Sequence, residues 1–262
     1  MASVEMPSGM GAAGEWLPEL DIKAPLKQRR LTVFFRLLLL IPQYIALFFL
    51  GIAAFFVAIF GWFAALFTGR LPEWAALYLS QYIEYYTRVA ASESLLIDRY
   101  PPFAFVAPDY PVQVELRPDE LNRLAVLLRI VLIFPAAIIQ AVVAAGWAVA
   151  SFFIWLIVLV LGRMPESLFD ATAAVLRYSM RLQAYWLMLT SSYPKRLFGD
   201  GQAAEGLGAG RVPGTRPLLM TSGARVLMVV FIVLGIGYLA TGGSFTSWTS
   251  DNNSSTSTVA HP

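Results

Sequence analysis

The sequence contains no cysteine and only one histidine, His261, one residue before the C-terminus. Without cysteine the chain has no disulfide, no thiolate metal ligand and no cysteine nucleophile. Without an internal histidine it also lacks imidazole metal clusters and histidine acid–base catalysis. We therefore expect no catalytic residues, no cofactor and no metal site.

Charge is also scarce. Charged residues make up 14% of the chain and hydrophobic residues 58%, against about 25% and about 45–50% in soluble domains. The net charge is only +2, and the basic residues lie at the ends of apolar runs rather than in a patch, which argues against a nucleic-acid partner. The composition predicts an integral membrane protein whose first partners are membrane lipids.

The N-terminal region does not resemble a secretory signal. It has no apolar core, and acidic residues precede the first basic one, which is the reverse of a signal peptide. We expect residues 1–16 to be flexible and the N-terminus to be cytoplasmic.

One stretch of sequence occurs twice, shifted by 93 positions without a gap. The recurring landmarks are Arg, Pro, Gly, Glu and Tyr, which chance similarity between apolar runs would not reproduce. In copy 1 they are Arg30, Arg36, Pro42, Gly69, Arg70, Pro72, Glu73, Tyr85, Arg88, Tyr100 and Pro101. In copy 2 they are Arg123, Arg129, Pro135, Gly162, Arg163, Pro165, Glu166, Tyr178, Arg181, Tyr193 and Pro194. We predict two tandem membrane repeats, at 17–103 and 104–197.

Each repeat begins with a polar arm and an apolar segment. The arms, Leu17–Lys27 and Tyr110–Arg117, alternate apolar and polar residues, as strands do. Segments A1 (Leu31–Phe67) and A2 (Leu124–Leu161) exceed the roughly 20 residues that one span needs. We expect the internal prolines, Pro42 and Pro135, to divide each segment into an interfacial turn and a spanning helix.

A short Gly-Arg-x-Pro-Glu link follows each apolar segment. Glycine is typical of a helix end, proline of a helix start, and glutamate complements the positive end of the next helix dipole. We interpret the links as helix punctuation rather than as catalytic sites. Their residues are Gly69, Arg70, Pro72 and Glu73 in copy 1, and Gly162, Arg163, Pro165 and Glu166 in copy 2.

The second helices of the repeats, B1 (Trp74–Ile97) and B2 (Leu168–Thr190), carry charges near their middles. A charge at the bilayer centre costs about 2.5–3.5 kcal/mol on insertion scales, so these side chains should face protein, water or headgroups. The candidate intramembrane charge network is Glu84, Arg88, Arg177 and Arg181.

Two positions in this network are equivalent but opposite in charge, Glu84 and Arg177. This suggests that B1 and B2 meet near a pseudo-symmetry axis and that these two side chains pair. Two independent charged faces that snorkel to the interface are the alternative.

The C-terminal region divides into three parts. Residues 198–217 are Gly/Ala-rich and should form a flexible loop, 218–241 should form a transmembrane helix, and 242–262 should be a disordered Ser/Thr-rich tail. Gly235 and Gly237 are interpreted as close-packing positions.

Basic residues indicate an orientation. If both helices of each repeat and the last helix span once, twelve Lys and Arg fall on one side and two on the other. The larger group is Lys23, Lys27, Arg29, Arg30, Arg99, Arg117, Arg123, Lys195, Arg196, Arg211, Arg216 and Arg225; the smaller is Arg70 and Arg163. This bias predicts a cytoplasmic N-terminus, an extracytoplasmic tail and one orientation for both copies. In the alternative, segment A forms a hairpin and segment B lies flat on the cytoplasmic face.

Several segments resemble a family of actinobacterial membrane proteins known only as a domain of unknown function, often in tandem copies. In copy 1 these are residues 30–36, 41–43, 62–73 and 100–103, and in copy 2 residues 162–170, 176–181 and 189–194. The resemblance covers about 17–103 and 110–197. It departs from the pattern at Glu84 and at Lys195 and Arg196. It implies a membrane location in a bacterium and brings no catalytic residues.

These features favour a non-enzymatic accessory, scaffold or regulatory subunit of a larger bacterial plasma-membrane complex. A small transporter or channel component that uses the intramembrane charges, alone or as a homo-oligomer, is the first alternative. A membrane-embedded lipid-modifying enzyme is the second, with Asp98, Glu73 and Glu166 as its only candidate acids.

Overall fold

A computed structural model describes residues 17–23, 27–118, 120–199, 215 and 218–242. Its elements, in chain order, are β1 (Glu19–Ile22), α1 (Arg30–Phe34), α2 (Arg36–Thr68), α3 (Glu73–Glu93), β2 (Val112–Glu115), α4 (Arg123–Leu161), α5 (Glu166–Trp186) and α6 (Ser222–Ala240). The predicted helical membrane architecture, with a short strand before each repeat and a final apolar helix, is confirmed. The segments expected to be flexible, 1–16, most of 198–217 and nearly all of 242–262, lie outside the described residues.

The apolar segments are not divided at their prolines. α2 runs through Pro42 and α4 through Pro135, so the predicted division there is wrong. The alternative in which segment A forms a hairpin is wrong for the same reason. A proline removes one backbone hydrogen bond, and long apolar helices tolerate this where neighbouring groups satisfy the freed carbonyl. In copy 1 the helix is interrupted at Phe35, between α1 and α2.

Both links have the same geometry. Gly69 and Gly162 end α2 and α4 in the left-handed region, with φ of 77° and 66°, where only glycine avoids a Cβ penalty. Pro72 precedes α3 and Pro165 precedes α5, each followed by a glutamate in the first turn. The link residues therefore end one helix and begin the next.

The two copies are related by a pseudo-two-fold axis. The indole Nε1 of Trp62 donates to the carbonyl of Val126 at 3.2 Å, and Nε1 of Trp155 donates to the carbonyl of Val33 at 3.0 Å. Trp62 and Trp155 are 93 positions apart, as are Val33 and Val126. Each copy therefore makes the same contact with the other.

Backbone hydrogen bonds at the helix ends are reciprocal between the copies in the same way. The amide of Leu121 donates to the carbonyl of Gly69 at 2.9 Å, and its equivalent, Gln28, donates to Gly162 at 2.8 Å. The end of α2 thus meets the start of α4, and the end of α4 meets the residues before α1. α2 and α4 consequently run antiparallel.

The predicted arms form an antiparallel strand pair that obeys the same symmetry. Glu19 pairs with Glu115 and Ile22 with Val112, and these two pairs exchange under a shift of 93 positions. The axis therefore passes between β1 and β2. β1 packs against α5 and β2 against α3, so the strands form the first of three layers.

α3 and α5 form the middle layer, and α2, α4 and α6 form the outer one. In α5, 15 of 21 residues are buried, whereas α2 buries only six of its 33. The helices long and apolar enough to cross a membrane are α2, α4 and α6. α3 and α5 are not among them, so the assumption that both helices of each repeat span the membrane is not supported. They are charged core helices covered by protein.

The outer layer is held by close contact between α6 and α4. A Cβ added to Gly146 would lie 1.7 Å from the carbonyl oxygen of Phe231, and one added to Gly235 would lie 1.9 Å from that of Val142. Gly235 is therefore a close-packing position, as predicted. Gly237 is not, because an added Cβ there meets nothing within 4 Å.

These two glycines provide a matched test of the α4–α6 contact. We expect Gly235→Ala to separate the helices and lower the free energy of unfolding by about 1–3 kcal/mol, the usual cost of overpacking. Gly237→Ala should be neutral or slightly stabilising, because alanine has the higher helix propensity. Thermal unfolding in detergent measures both, and equal melting temperatures for the two variants would contradict this packing.

A candidate site of buried arginines

Arg36 begins α2 and is only 3% exposed. Its Nη1 donates to Ser92 Oγ at 2.9 Å and to the carbonyl of Ile97 at 2.6 Å, and its Nη2 lies 3.5 Å from Asp98 Oδ1. The guanidinium is therefore held at the C-terminal end of α3 by main-chain and side-chain acceptors and by one carboxylate.

Arg129, the equivalent residue in copy 2, is also 3% exposed. It donates to the carbonyls of Tyr185 at 2.6 Å and Thr190 at 3.1 Å, and it lies over the Tyr185 ring at 4.3 Å. Within the described part of the chain no carboxylate lies within ion-pair distance of it. The position equivalent to Asp98 is Ser191.

The acceptors of both arginines come from unusual helix ends. α3 and α5 are followed by residues in the left-handed region, Leu95 at φ 59° and Met188 at φ 60°. The next amide reaches back five residues, from Leu96 to Ala91 and, in copy 2, from Leu189 to Ala184. This Schellman-type end reverses the chain, so that the carbonyls of Ile97 and Thr190 reach the arginines. The negative end of the helix dipole favours a cation there.

The other buried arginines hold the strand layer and loops to the core. Arg88 donates to the carbonyls of Ala104 at 2.6 Å and Phe105 at 2.7 Å. Arg177 donates to the carbonyls of Leu20, at 2.6 Å, and Thr215. Arg181 donates to those of Pro18 at 2.9 Å and Lys195 at 3.3 Å. In each case a charge-assisted hydrogen bond ties the main chain of β1 or of a loop to a helix.

The hypothesised pair of Glu84 and Arg177 is not present. Arg177 is directed to the backbone of β1, and the charged group that acts on Glu84 is Arg88. Burial raises the pKa of Glu84, and the attraction of Arg88 offsets this only in part. The two helices do meet, with Tyr86 of α3 beside Gln183 of α5. This contact joins two uncharged polar side chains and is not an ion pair.

The remaining acids hold structural positions. Asp98 is paired with Arg36, and Glu73 and Glu166 lie in the first turns of α3 and α5. In the described residues no group of acidic and histidine side chains could hold a metal ion. That the protein is not an enzyme remains a prediction.

Sequence reasoning missed the two tryptophans that join the copies. Trp62 and Trp155 recur at the 93-residue spacing, and indole N–H groups in apolar surroundings need an acceptor. That recurrence was a usable signal for a contact between copies, although it could not have named the carbonyl that accepts.

Duplicated apolar helices around a buried, polar middle layer define this chain as a helical membrane protein built from two interlocked repeats. The repeats match a family model described as Domain of unknown function (DUF4389), over residues 30–104 and 123–197. The chain belongs to this family. The matched ranges confirm the predicted tandem copies and leave both strands outside. No curated protein and no solved structure matches the chain. Its actinobacterial origin stays a prediction.

The half-buried carboxyl of Glu84 predicts a pH-dependent stability. Its pKa is raised in the folded state, so the folded protein keeps this proton above pH 4.5, where the unfolded chain releases it. Stability should therefore fall as the pH rises through the folded pKa. We expect Glu84→Gln to remove this part of the decline and to be more stable than wild type at neutral pH.

Thermal unfolding between pH 4.5 and 8 tests this expectation. Glu120→Gln, at an exposed position before α4, is the surface control. If wild type and Glu84→Gln lose stability with pH at the same rate, the ionisation of Glu84 is not coupled to folding.

Proposed function

We propose that this protein is a non-enzymatic accessory, scaffold or regulatory subunit of a larger complex in a bacterial plasma membrane. The observation that supports this best is a difference between the two copies. Copy 2 carries a helix, α6, on its outer surface, whereas the matching surface of copy 1 is exposed.

Three points define where α6 sits on copy 2. Gly235 faces the carbonyl of Val142, Phe231 faces Gly146, and Gly223 lies against Ser167 Oγ. The equivalent positions in copy 1 are Phe49, Ala53 and Trp74, which we call the copy 1 face.

The copy 1 face is apolar and aromatic. Phe49 is 65% exposed and Trp74 is 54% exposed, and Ala53 between them is exposed as well. Aromatic anchors around a small residue are typical of surfaces that bind another chain. Because copy 2 binds a helix at the matching place, the partner expected on this face is an apolar helix of another subunit.

The buried charges support a structural role over transport. Arg36, Arg88 and Arg129 donate to main-chain carbonyls at 2.6–3.1 Å, so a permeating ion would have to break these bonds. The lipid-modifying alternative is weaker for a similar reason, since Asp98 is engaged by Arg36.

Site-specific crosslinking tests the subunit proposal. A photoreactive residue at Phe49 should crosslink to one partner chain in native membranes, and Ala53→Trp should reduce that product because the new ring fills the centre of the face. Ile41→Trp, an exposed position of α2 on another side, should leave it unchanged. Crosslinks to lipid alone, or a product equally strong in Ala53→Trp, would contradict the proposal.

The symmetry also supports a specific arrangement in the bilayer. The contact of Val33 with Trp155 and that of Val126 with Trp62 exchange under the pseudo-two-fold rotation. The two ends of α2 therefore lie at equal heights along the axis, as do those of α4. If these helices crossed the bilayer, the strand pair and the exposed Asp109 and Arg117 would lie at its middle, where polar backbone is not tolerated.

We therefore propose that the pseudo-two-fold axis follows the membrane normal. α2 and α4 then lie along the bilayer with their exposed apolar sides in lipid, and the strand layer faces water on the cytoplasmic side, where the basic residues favour it. Both copies keep the same orientation in this arrangement, although neither α2 nor α4 crosses the bilayer.

Single cysteines in this cysteine-free chain test the arrangement. Arg70→Cys and Arg163→Cys mark the two links and, unlike the neighbouring Leu71 and Met164, are not buried. An impermeant thiol reagent should label both only from the cytoplasmic side. Labelling of both from outside would support five spans, and labelling from opposite sides would support crossing by α2 and α4. Either result would overturn the in-plane arrangement.

A further inference from the structure

A cavity of about 240 Å³ lies between α2, α4 and the end of α5. Its walls are almost entirely apolar and aromatic: Phe55, Ala58, Ile59, Trp62, Ile130, Trp186 and Met188, with Arg129 at one side. Phe55, Ile130 and Trp186 are at least half exposed on the outer layer. The cavity therefore opens where the protein meets lipid.

The guanidinium of Arg129 in this wall has a hydrogen-bond donor without an acceptor. Arg129 keeps two hydrogen bonds to carbonyls, and its Nε, like that of Arg36 in copy 1, is buried and has no hydrogen-bond partner in the described structure. Main-chain carbonyls supply partial negative charge and do not neutralise a guanidinium. A buried cation without a counter-ion is costly, so the site favours an anion.

The duplication supplies an internal comparison. In copy 1 the equivalent guanidinium, Arg36, lies 3.5 Å from Asp98, whereas copy 2 has Ser191 at that position. Among the described residues, copy 1 therefore supplies a counter-ion to its arginine and copy 2 supplies none. The wall differs as well, because Trp186 and Phe55 stand where the other copy has Glu93 and Ala148. Both differences make the copy 2 site more suitable for an external amphiphile with a negative charge.

We propose that the cavity beside Arg129 binds the anionic head group of an acyl lipid, a carboxylate or a phosphate, with the adjoining part of its chain. The guanidinium matches both anions through paired N–H donors. The cavity is smaller than the roughly 300–1,000 Å³ of pockets that enclose a whole ligand, so it holds the head and the first part of a chain whose remainder stays in the bilayer.

Bromine quenching of tryptophan fluorescence tests this site, because Trp62 and Trp186 line it. The purified full-length chain in detergent is titrated at pH 8 with 9,10-dibromostearate, with its uncharged methyl ester, and with brominated phosphatidylglycerol. The charged probe that fits should quench saturably at roughly tenfold lower concentration than the ester, since only it gains the charge-assisted hydrogen bonds.

Ser191→Asp supplies copy 2 with the acid of copy 1 and is the decisive variant. Ser191 is exposed, so the change should not prevent folding, and Ser191→Asn is the uncharged control. We expect Ser191→Asp to weaken binding of the charged probe roughly tenfold and to leave binding of the ester unchanged. Ser191→Asn should bind both probes as wild type does. Saturation by dibromostearate alone identifies a carboxylate ligand, and saturation by brominated phosphatidylglycerol alone a phospholipid. Equal half-saturation by acid and ester, or undiminished binding by Ser191→Asp, would overturn the site.

Discussion

A guanidinium buried in an apolar interior is costly unless its N–H groups find acceptors, and this requirement organises the whole molecule. The last carbonyls of a helix have no intrahelical partner and carry partial negative charge. Arg129 uses a carbonyl of the last turn of α5, that of Tyr185, and both arginines use carbonyls of the segments that follow the middle helices, Ile97 after α3 and Thr190 after α5. Each middle helix must therefore end where an outer helix of its own copy begins, and the antiparallel pairing within each copy follows.

The two copies differ in the counter-ion of their buried arginine and in whether a helix covers their outer surface. Asp98 neutralises Arg36, while Ser191 leaves Arg129 to main-chain acceptors. Gly146 admits α6, while Ala53 remains uncovered. In a duplicated protein the shared residues maintain the fold, and such unmatched positions are where a ligand or a partner can act on one copy only.

The helices and arms were predictable because their signals are local: long apolar runs, Gly and Pro at the links, and alternation before each repeat. The contacts between copies were not. Trp62 and Val126 are 64 residues apart, and the acceptor is a carbonyl, which every residue possesses and no sequence marks. The hypothesised Glu84–Arg177 pair is wrong for this reason. A search for opposite side-chain charges does not include backbone acceptors, and Arg177 donates to one, the carbonyl of Leu20. The division expected at Pro42 and Pro135 is wrong because a proline removes only one backbone hydrogen bond, and a long apolar helix continues through it.

The reciprocal contacts have a consequence for synthesis. When copy 1 leaves the ribosome, the indole of Trp62 and the carbonyl of Gly69 have no partners, because Val126 and Leu121 belong to the next repeat. The hydrogen-bond partners of Gln28 and Val33 are synthesised later still, because they are the carbonyl of Gly162 and the indole of Trp155. Native contacts of long sequence separation form slowly and leave apolar surface uncovered meanwhile. The surface of the first repeat that meets Leu121 and Val126 therefore stays uncovered until the second repeat has been synthesised.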